Sequence, residues 1–251
     1  MTVNIDITKE LKAVEKLIKS DINKEKTILG LYNYIFKSDG KKIRSRLNLI
    51  ASSSSKNSHR YKLASIIELL HTATLVHDDV VDNASTRRGA VSVNSLWSNA
   101  HGVLIGDYIY SKAFMLMVEI GKKDILAELA DATNDISQGE LIQLDAISNI
   151  KISLNKLKKI SYFKTGRLFE ASAKTGAMLA GANKNFIKNI SESAKNIGIL
   201  FQIKDDLLDY SNSSKTGKQS FQDLKEGKIT YPFFFASVSY THLTLPTRCL
   251  G

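Results

Sequence analysis

Apolar residues recur along this chain with the spacing of α-helices. Leu11, Val14 and Ile18 follow one another at intervals of three and four residues near the N-terminus. A longer stripe runs from Leu63 to Val81, again with intervals of three and four. This spacing places the apolar side chains on one face of a helix with 3.6 residues per turn. Strict alternation, which would indicate strands, is confined to the last dozen residues.

Further helices are predicted over four long segments that polar loops separate. The predicted helices cover roughly residues 93–121, 123–144, 154–181 and 185–210, and the predicted loops cover 38–40, 52–58, 83–89 and 211–217. No linker divides the chain. We therefore expect one all-α domain of about eight to ten helices.

The distribution of proline supports long helices. The two prolines are Pro232 and Pro246, so the first 231 residues contain none. Sandwiches and barrels need many turns, which recruit proline and glycine. Proline interrupts helices, and a long stretch without it favours an all-α fold.

Composition narrows the functional classes. A single cysteine, Cys249, excludes an internal disulfide, and there is no Cys/His cluster for zinc. No apolar run is long enough to span a membrane, and the N-terminus lacks a signal core, so a cytoplasmic location is predicted. The net charge of +10 comes from lysines spread along the whole chain without interleaved aromatics. We therefore predict no nucleic-acid partner.

Two aspartate clusters carry the candidate chemistry. The sequence reads DDVVD at 78–82 and DDLLD at 205–209, each at the C-terminal end of a predicted helix. Residues i and i+4 share a helix face, so Asp78 lies with Asp82 and Asp205 with Asp209. Such carboxylates repel one another, and a helix C-terminus disfavours negative charge. Two copies of this arrangement predict a site for Mg²⁺, which prefers a few carboxylates, waters and substrate phosphates.

Basic groups near these clusters indicate a polyphosphate substrate. Glu68 and His71 share the face of Asp78, so that face is predicted to line a wet site, and Gln202 lies one turn before Asp205. Separate basic side chains occur at Lys41, Lys42, Arg44, Arg87, Arg88, Lys164, Lys218 and Lys228. Metal and basic side chains would hold opposite sides of the phosphate. Neither glycine-rich nucleotide-binding motif is present.

Several segments resemble the trans-isoprenyl (polyprenyl) diphosphate synthase family, most closely its octaprenyl-type long-chain members. The two aspartate motifs lie in HTATLVHDDVVDNASTRRG (71–89) and FQIKDDLLDY (201–210). The other matching segments are GKKIR (40–44), AHGVLIGDYIYSKAF (100–114), KTGRLFEASAKTGAMLAG (164–181) and GKQSFQDLKEGKITYP (217–232). The resemblance covers roughly residues 1–236.

The resemblance implies an all-α isoprenoid-synthase bundle around a deep central cavity, expected as a homodimer. It implies that Mg²⁺, with three ions expected, bridges the aspartates and an allylic diphosphate such as farnesyl diphosphate. Isopentenyl diphosphate then attacks the allylic cation, and diphosphate is released. Charge stabilisation, positioning and exclusion of water do the catalysis. No membrane span is expected, although the apolar product leaves room for a peripheral membrane contact.

Site residues follow from the matching motifs. The implied metal ligands are Asp78, Asp79, Asp82, Asp205, Asp206 and Asp209. The implied isopentenyl diphosphate contacts are Lys41, Arg44, His71 and Arg88. The implied allylic diphosphate contacts are Arg87, Lys164, Thr165, Gln202, Lys218 and Lys228. Among all of these, Asp78, Asp82, Asp205, Lys164 and Arg87 are expected to be catalytic.

Product length follows from two small residues before the first motif. Ala73 and Thr74 stand where short-chain members of the family tend to have aromatic rings that close the cavity floor. A helix rises 1.5 Å per residue, so a long product needs several turns of open pocket. We therefore predict a long, octaprenyl-like chain.

The sequence departs from the family pattern in two places. Asp39 and Ser45 flank the first basic motif where the family usually has Gly and Pro. The predicted helical pattern also stops after Ala236, and residues 237–251 are unlike the family. We expect 1–236 to be a synthase domain whose C-terminal helices are missing, and 237–251 to be a tail that is not native.

Other functions stay open at this point. A short-chain geranyl or farnesyl diphosphate synthase is the nearest alternative. A terpene cyclase shares the metal chemistry, but DDLLD argues against one. A non-catalytic subunit of a heteromeric synthase commonly loses aspartates, whereas both clusters here are intact.

Overall fold

The computed structural model describes residues 6–37, 40–211 and 221–241, with side chains up to residue 238. Regular structure in these residues is almost entirely helical. The helices are α1 (Ile7–Ile18), α2 (Lys26–Ile35), α3 (Ile43–Ala51), α4 (His59–Val81), α5 (Val93–Leu96), α6 (Asn99–Ile120), α7 (Lys123–Leu144), α8 (Leu154–Ser161), α9 (Arg167–Leu179), α10 (Lys184–Asp209), α11 (Gln222–Lys225) and α12 (Tyr231–Thr241). A π-helical turn (Tyr162–Gly166) joins α8 to α9, and strands β1 (Thr86–Arg87) and β2 (Ala90–Val91) form a hairpin.

Helix α4 lies at the centre of the bundle. Every residue from Leu63 to Leu70 is buried, as expected for a helix that is surrounded by others. It packs against α6, α3, α1 and α9. The main apolar core extends from these helices to α2 and α7. This packing places the C-terminal end of α4, which carries the first aspartate cluster, at one end of the core.

Capping residues explain where the site-bearing helices begin and end. The side chain of Asn183 accepts a hydrogen bond from the Phe186 backbone N–H at 2.8 Å and starts α10. Ser98 does the same for α6. Gly121 has φ of 67° directly after α6, a left-handed conformation that suits glycine.

The predicted all-α class is confirmed, with three local differences. The helix predicted over 93–121 is broken at Trp97 and Ser98, because the Ser98 side chain caps a new helix there. The helix predicted over 154–181 contains the π-helical turn. The loop predicted over 83–89 holds part of the hairpin, which closes through Arg88 and Gly89, both with positive φ.

The predicted end of the last helix was wrong. Helix α12 continues to Thr241, five residues beyond Ala236. Ser, Val and Tyr each cost only about half a kcal/mol in a helix relative to alanine, so their β-like pattern does not end it. Cys249, Pro246, Asp39 and Lys218 lie outside the described residues. In the described part of the chain, no helix combines the length and apolarity needed to cross a membrane.

Candidate active site

The first aspartate cluster lies in a confined, negatively charged environment at the end of α4. Asp82 follows the last helical residue, and its backbone N–H donates to the Asp78 carbonyl at 2.8 Å. Burial and, next, the nearby Glu140 carboxylate on α7 together raise the pKa of Asp78 to about 7, against the opposing charge of Lys164. A carboxyl with this pKa would gain from a nearby cation.

The second residue of this cluster has a different partner. Asp79 is buried, and its Oδ1 lies 2.7 Å from Nε and 2.5 Å from Nη2 of Arg87. Burial raises the pKa of Asp79, and the ion pair with Arg87 pulls it down. The hairpin provides this geometry, because its two-residue turn directs Arg87 back towards α4.

The second aspartate cluster is held by neutral donors. Asp206 is buried and accepts hydrogen bonds from Gln202 Nε2 at 2.7 Å and from the Tyr231 backbone N–H at 3.4 Å. Burial raises its pKa to about 6. Asp209 accepts from the backbone N–H groups of Gln222 and Asp223 at 3.0 and 3.2 Å, so it caps α11.

Two lysines connect the clusters. Lys228 Nζ lies 2.8 Å from Asp82 Oδ1 and 2.7 Å from Glu226, although Lys228 follows the second cluster in sequence. These carboxylates raise the pKa of Lys228, and burial only partly opposes them. The charge of Lys164 lowers the pKa of both Asp78 and Asp206, so this lysine acts on both motifs. The two clusters therefore face one shared space.

Lys164 and Thr165 project from the π-helical turn in different directions. Lys164 Nζ is 2.9 Å from Glu140 Oε2 and 2.7 Å from Gln143 Oε1, both on α7. The Thr165 hydroxyl donates to Gln202 on α10. The structure thus brings Thr165 and Gln202 into contact, while Lys164 contacts α7; binding of an allylic diphosphate by these residues stays a prediction.

A separate basic pocket forms around Arg44. Its Nη1 lies 3.0 Å from His71 Nε2, and its guanidinium stacks 4.6 Å above the centre of the Phe169 ring. The Arg88 guanidinium packs against Gly40, and its positive charge lowers the pKa of both Arg44 and His71. Among the described residues, Arg44 Nε has no hydrogen-bond partner. The pocket therefore offers one buried donor to an anion.

Electrostatics keep His71 neutral. Burial lowers the pKa of His71 well below its ordinary value, and the positive charges of Arg44, Arg88 and Arg87 lower it further. A neutral imidazole accepts from Arg44 at Nε2 and thereby orients the guanidinium. Burial also lowers the pKa of Arg44, to about 10, a change that the nearby Glu68 carboxylate opposes.

Ser45 holds Glu68 in this pocket. Its hydroxyl donates to Glu68 Oε2 at 2.8 Å, and both residues are buried. The residue that departs from the family pattern thus has a polar partner here. Lys41 is exposed, whereas the neighbouring Lys42 forms an ion pair with Glu15 on α1.

The two chain-length positions differ in exposure. Ala73 has no exposed surface and belongs to the main apolar core. Thr74 is partly buried, and its hydroxyl donates to the His71 carbonyl at 2.8 Å. Only Thr74 keeps surface on which a growing chain could rest.

Four polar residues of this site could not be singled out from the sequence: Glu140, Gln143, Asp223 and Glu226. Burial and, next, the carboxylates of Asp209 and Asp206 together raise the pKa of Asp223 to about 6. Glu140 and Gln143 are three residues apart on α7, a spacing that also occurs on ordinary solvated helix faces. Only the fold reveals that this face meets Lys164.

The carboxylates fit a divalent cation without enclosing one. In the described parts of the chain, no group of three Asp, Glu, His or Cys side chains is close enough to hold a metal ion. Asp78, Asp82 and the exposed Asp205 supply hard oxygen donors in the two clusters. Mg²⁺ commonly uses one or two such carboxylates and completes its shell with water and phosphate. The residues present suit that mode of binding.

Comparison with known proteins identifies the family. The family model for polyprenyl synthetase matches residues 25–243. The chain belongs to the polyprenyl synthetase family. It is therefore a transferase of the prenyltransferase type, and the resemblance drawn from the motifs is confirmed.

Individual relatives agree over most of the chain. Octaprenyl diphosphate synthase of Escherichia coli (strain K12) is 36% identical over 239 residues, which cover 93% of this chain and 74% of that protein. The crystal structure of a decaprenyl diphosphate synthase from Rhodobacter capsulatus matches with a TM-score of 0.88 at 33% identity, covering 93% and 73%. A polyprenyl synthase from Caulobacter crescentus CB15, complexed with calcium and isoprenyl diphosphate, matches with a TM-score of 0.86 at 34% identity, covering 94% and 72%.

Proposed function

We propose that this polyprenyl synthetase condenses isopentenyl diphosphate with an allylic diphosphate to form a long all-trans polyprenyl diphosphate, releasing diphosphate. The observation that carries the proposal is that the segment after the second cluster contacts both motifs: Lys228 Nζ lies 2.8 Å from Asp82 Oδ1, and Asp209 accepts from the backbone N–H groups of Gln222 and Asp223. The Arg44 pocket is a second, separate anion site. The names of the octaprenyl and decaprenyl relatives support a long product.

We propose Mg²⁺ as the metal, held by Asp78, Asp82 and Asp205. When bound, Mg²⁺ would supply positive charge that stabilises the leaving diphosphate. Asp79, Asp206 and Asp209 already hold Arg87, Gln202 and α11 respectively. We therefore assign them to positioning, and three ions per site stay a prediction.

The allylic diphosphate would bind to Lys164, Arg87 and Lys228. Lys228 is ion-paired to Asp82 and Glu226, so it is held at the edge of the shared space. The charged groups approach the departing diphosphate from several sides. Such fixed charges stabilise the charge that develops as the carbon–oxygen bond breaks. Lys218 stays a predicted contact.

The isopentenyl diphosphate would bind in the Arg44 pocket. Arg44 has an unpartnered Nε, and Arg88 supplies a second guanidinium. Neutral His71 orients Arg44, and Lys41 stays a predicted contact at the exposed edge. Holding both substrates in place makes the attack of the double bond on the allylic carbon effectively unimolecular. A proton then leaves the attacking substrate.

We also propose the homodimer that the family resemblance implies. Leu104, Met115 and Val118 are 68%, 67% and 70% exposed. At 100° per residue they lie on one stripe of α6. An apolar stripe of this kind favours contact with a second chain. A cytoplasmic location stays a prediction.

Product analysis tests the proposed function directly. Purified protein is incubated with farnesyl diphosphate, labelled isopentenyl diphosphate and Mg²⁺, and the products are sized by chromatography. We expect a long-chain product. A labelled product that stops at 20 carbons, after one addition to the 15-carbon starter, would favour a short-chain synthase. No labelled product would contradict the proposal.

Substitution of Thr74 tests the length of the product. Thr74→Phe places a ring beside the site, so we expect shorter products. Thr72→Phe is the matched control, because Thr72 is also partly buried but lies 200° around α4 from Thr74. Ala73→Phe is a poorer test, since a ring at a fully buried position would disrupt the core. Unchanged products from Thr74→Phe would contradict the assignment.

A further inference from the structure

The π-helical turn (Tyr162–Gly166) is clamped between two neighbouring helices. It presents Lys164 to Glu140 and Gln143 on α7, and Thr165 to Gln202 on α10. Its backbone must therefore keep a defined distance from both helices. A backbone shift of about an ångström would stretch these hydrogen bonds beyond their usual lengths unless the side chains readjust.

On the α7 side, the close approach depends on Gly139. A Cβ built on Gly139 would lie 2.8 Å from the Cβ of Phe163 and 3.0 Å from the backbone N of Lys164. A separation under 3.0 Å forces something to shift, and the obstacles here are Cβ and backbone atoms, which have no flexible end to move aside. Any side chain at 139 would push the turn away from α7.

On the α10 side, the contact is equally close. A Cβ built on Gly198 would lie 2.6 Å from the Cα of Gly166 and 3.0 Å from the Cβ of Phe169. Glycine thus meets glycine where α10 crosses the turn. A side chain at 198 would push the turn in the opposite direction, towards α7.

An ion-pair network fixes the end of the turn. Arg167, which directly follows it, lies 2.6 Å from Glu128 and 2.7 Å from Asp135, both on α7. Arg167 and Glu128 are buried. The turn is therefore anchored to α7 on one side of Lys164, and Gly139 sets how closely the rest of the turn approaches the same helix.

We infer that Gly139 is a positioning residue, whose lack of a side chain holds Lys164 against Glu140 and Gln143 in the space between the two aspartate clusters. The effect on catalysis rests on the proposed function of Lys164. The effect on the position of Lys164 does not, so the two are measured separately.

The experiment compares Gly139→Ala with Gly30→Ala. Gly30 is exposed on α2, and a Cβ there would meet nothing within 4 Å, so it is the matched control. Reactivity of Lys164 towards a pulse of acetic anhydride is measured by mass spectrometry, with Lys156 as the internal reference. We expect several-fold faster modification of Lys164 in Gly139→Ala and no change in Gly30→Ala.

Steady-state kinetics test whether Gly139 affects catalysis through Lys164. We expect Gly139→Ala to lower kcat/KM for the allylic diphosphate about 10- to 100-fold, the loss typical of a misplacement near 1 Å. If Gly139 acts through Lys164, adding Gly139→Ala to Lys164→Ala causes no further loss. Losses that multiply instead would indicate a merely structural role and overturn the inference.

The remaining outcomes are also decisive. Unchanged modification of Lys164 in folded Gly139→Ala would overturn the inference. If that variant does not fold, Gly198→Ala tests the same geometry from the other side, and increased modification of Lys164 there would overturn it. If Lys164 is modified faster in Gly139→Ala but the wild type shows no prenyl transfer, the positioning role of Gly139 stands and the proposed function is contradicted.

Discussion

The two aspartate motifs have the same spacing but different partners. In the first motif, the second and last aspartates contact cationic side chains, Arg87 and Lys228. In the second motif, the corresponding Asp206 and Asp209 accept hydrogen bonds from an amide side chain and from backbone N–H groups. The same residue at the same motif position therefore has a different environment in each of the two motifs.

The aspartates of the first motif can exchange their charged partners, whereas those of the second motif are held by fixed hydrogen bonds. An ion pair at the edge of a wet site exchanges one partner for another when a stronger cation or anion arrives. Backbone N–H groups at a helix start have no such alternative, and losing their acceptor costs stability. We infer that the last aspartate of the first motif serves the chemistry and that of the second motif serves the fold.

The largest expected effect comes from making the same change in both motifs. Asp82→Asn removes a charge that faces the substrate space, so we expect kcat/KM to fall about 100- to 1,000-fold. Asp209→Asn keeps an oxygen that accepts from Gln222 and Asp223, so it should retain most activity. Steady-state assays of both variants measure the difference, and equal losses would contradict the proposed division.

A second comparison concerns stability and salt. Arg87→Met leaves Asp79 buried without its cation, which we expect to lower the free energy of unfolding by about 2 kcal/mol after allowing for solvent screening at the partly exposed arginine. Gln202→Ala removes an uncharged donor from Asp206 and an acceptor from Thr165, and should cost about 1.5 kcal/mol. Urea unfolding at low and high salt checks this, because only the first loss should shrink at 1 M salt.

The smallest effect depends on pH. His71 precedes the first motif on α4, whereas the non-titrating Gln202 precedes the second on α10. The pKa of His71 is lowered on folding, so the unfolded chain binds the proton more readily. The contribution of neutral His71 to the free energy of unfolding is fully present above pH 6.5. It is lost as the pH falls below that value, by at most about 1.4 kcal/mol per pH unit.

Comparison with His71→Gln isolates this contribution. Urea unfolding of both proteins at pH 7.5, 6.5 and 5.5 gives the difference in unfolding free energy, in which the opposing carboxyl groups cancel. We expect the wild type to lose more stability than the variant below pH 6.5. Parallel curves would show that His71 titrates normally.

Much of the fold follows from the sequence, because helices reflect local spacing. The helix predicted over 123–144 matches α7, and the one over 185–210 differs from α10 by one residue at each end. The break before α6 depends on one cap, Ser98, and the hairpin depends on two residues with positive φ. The apolar spacing that predicts helices is read over many positions, so a feature set by one or two residues leaves little signal in it.

The site was only partly predictable for a related reason. Helical spacing placed Asp78 and Asp82 on one face, and the motifs supplied the basic residues. Spacing along one helix does not reveal that Asp79 turns towards Arg87 or that Glu140 meets Lys164, because each contact joins two different elements. Metal binding by Asp209 stays a prediction, and the sequence did not indicate that α11 begins beside this residue.

The π-helical turn has a consequence for how this sequence can vary. A π-turn holds one residue more than an α-helical turn, and one residue corresponds to a rotation of about 100°. Deleting a residue between α8 and α9 would allow a continuous α-helix, which costs little as local structure. It would also rotate Lys164 and Thr165 relative to α9 and its anchor at Arg167. Insertions and deletions should therefore be rarer in this stretch than point substitutions, although nothing in its composition marks it as special.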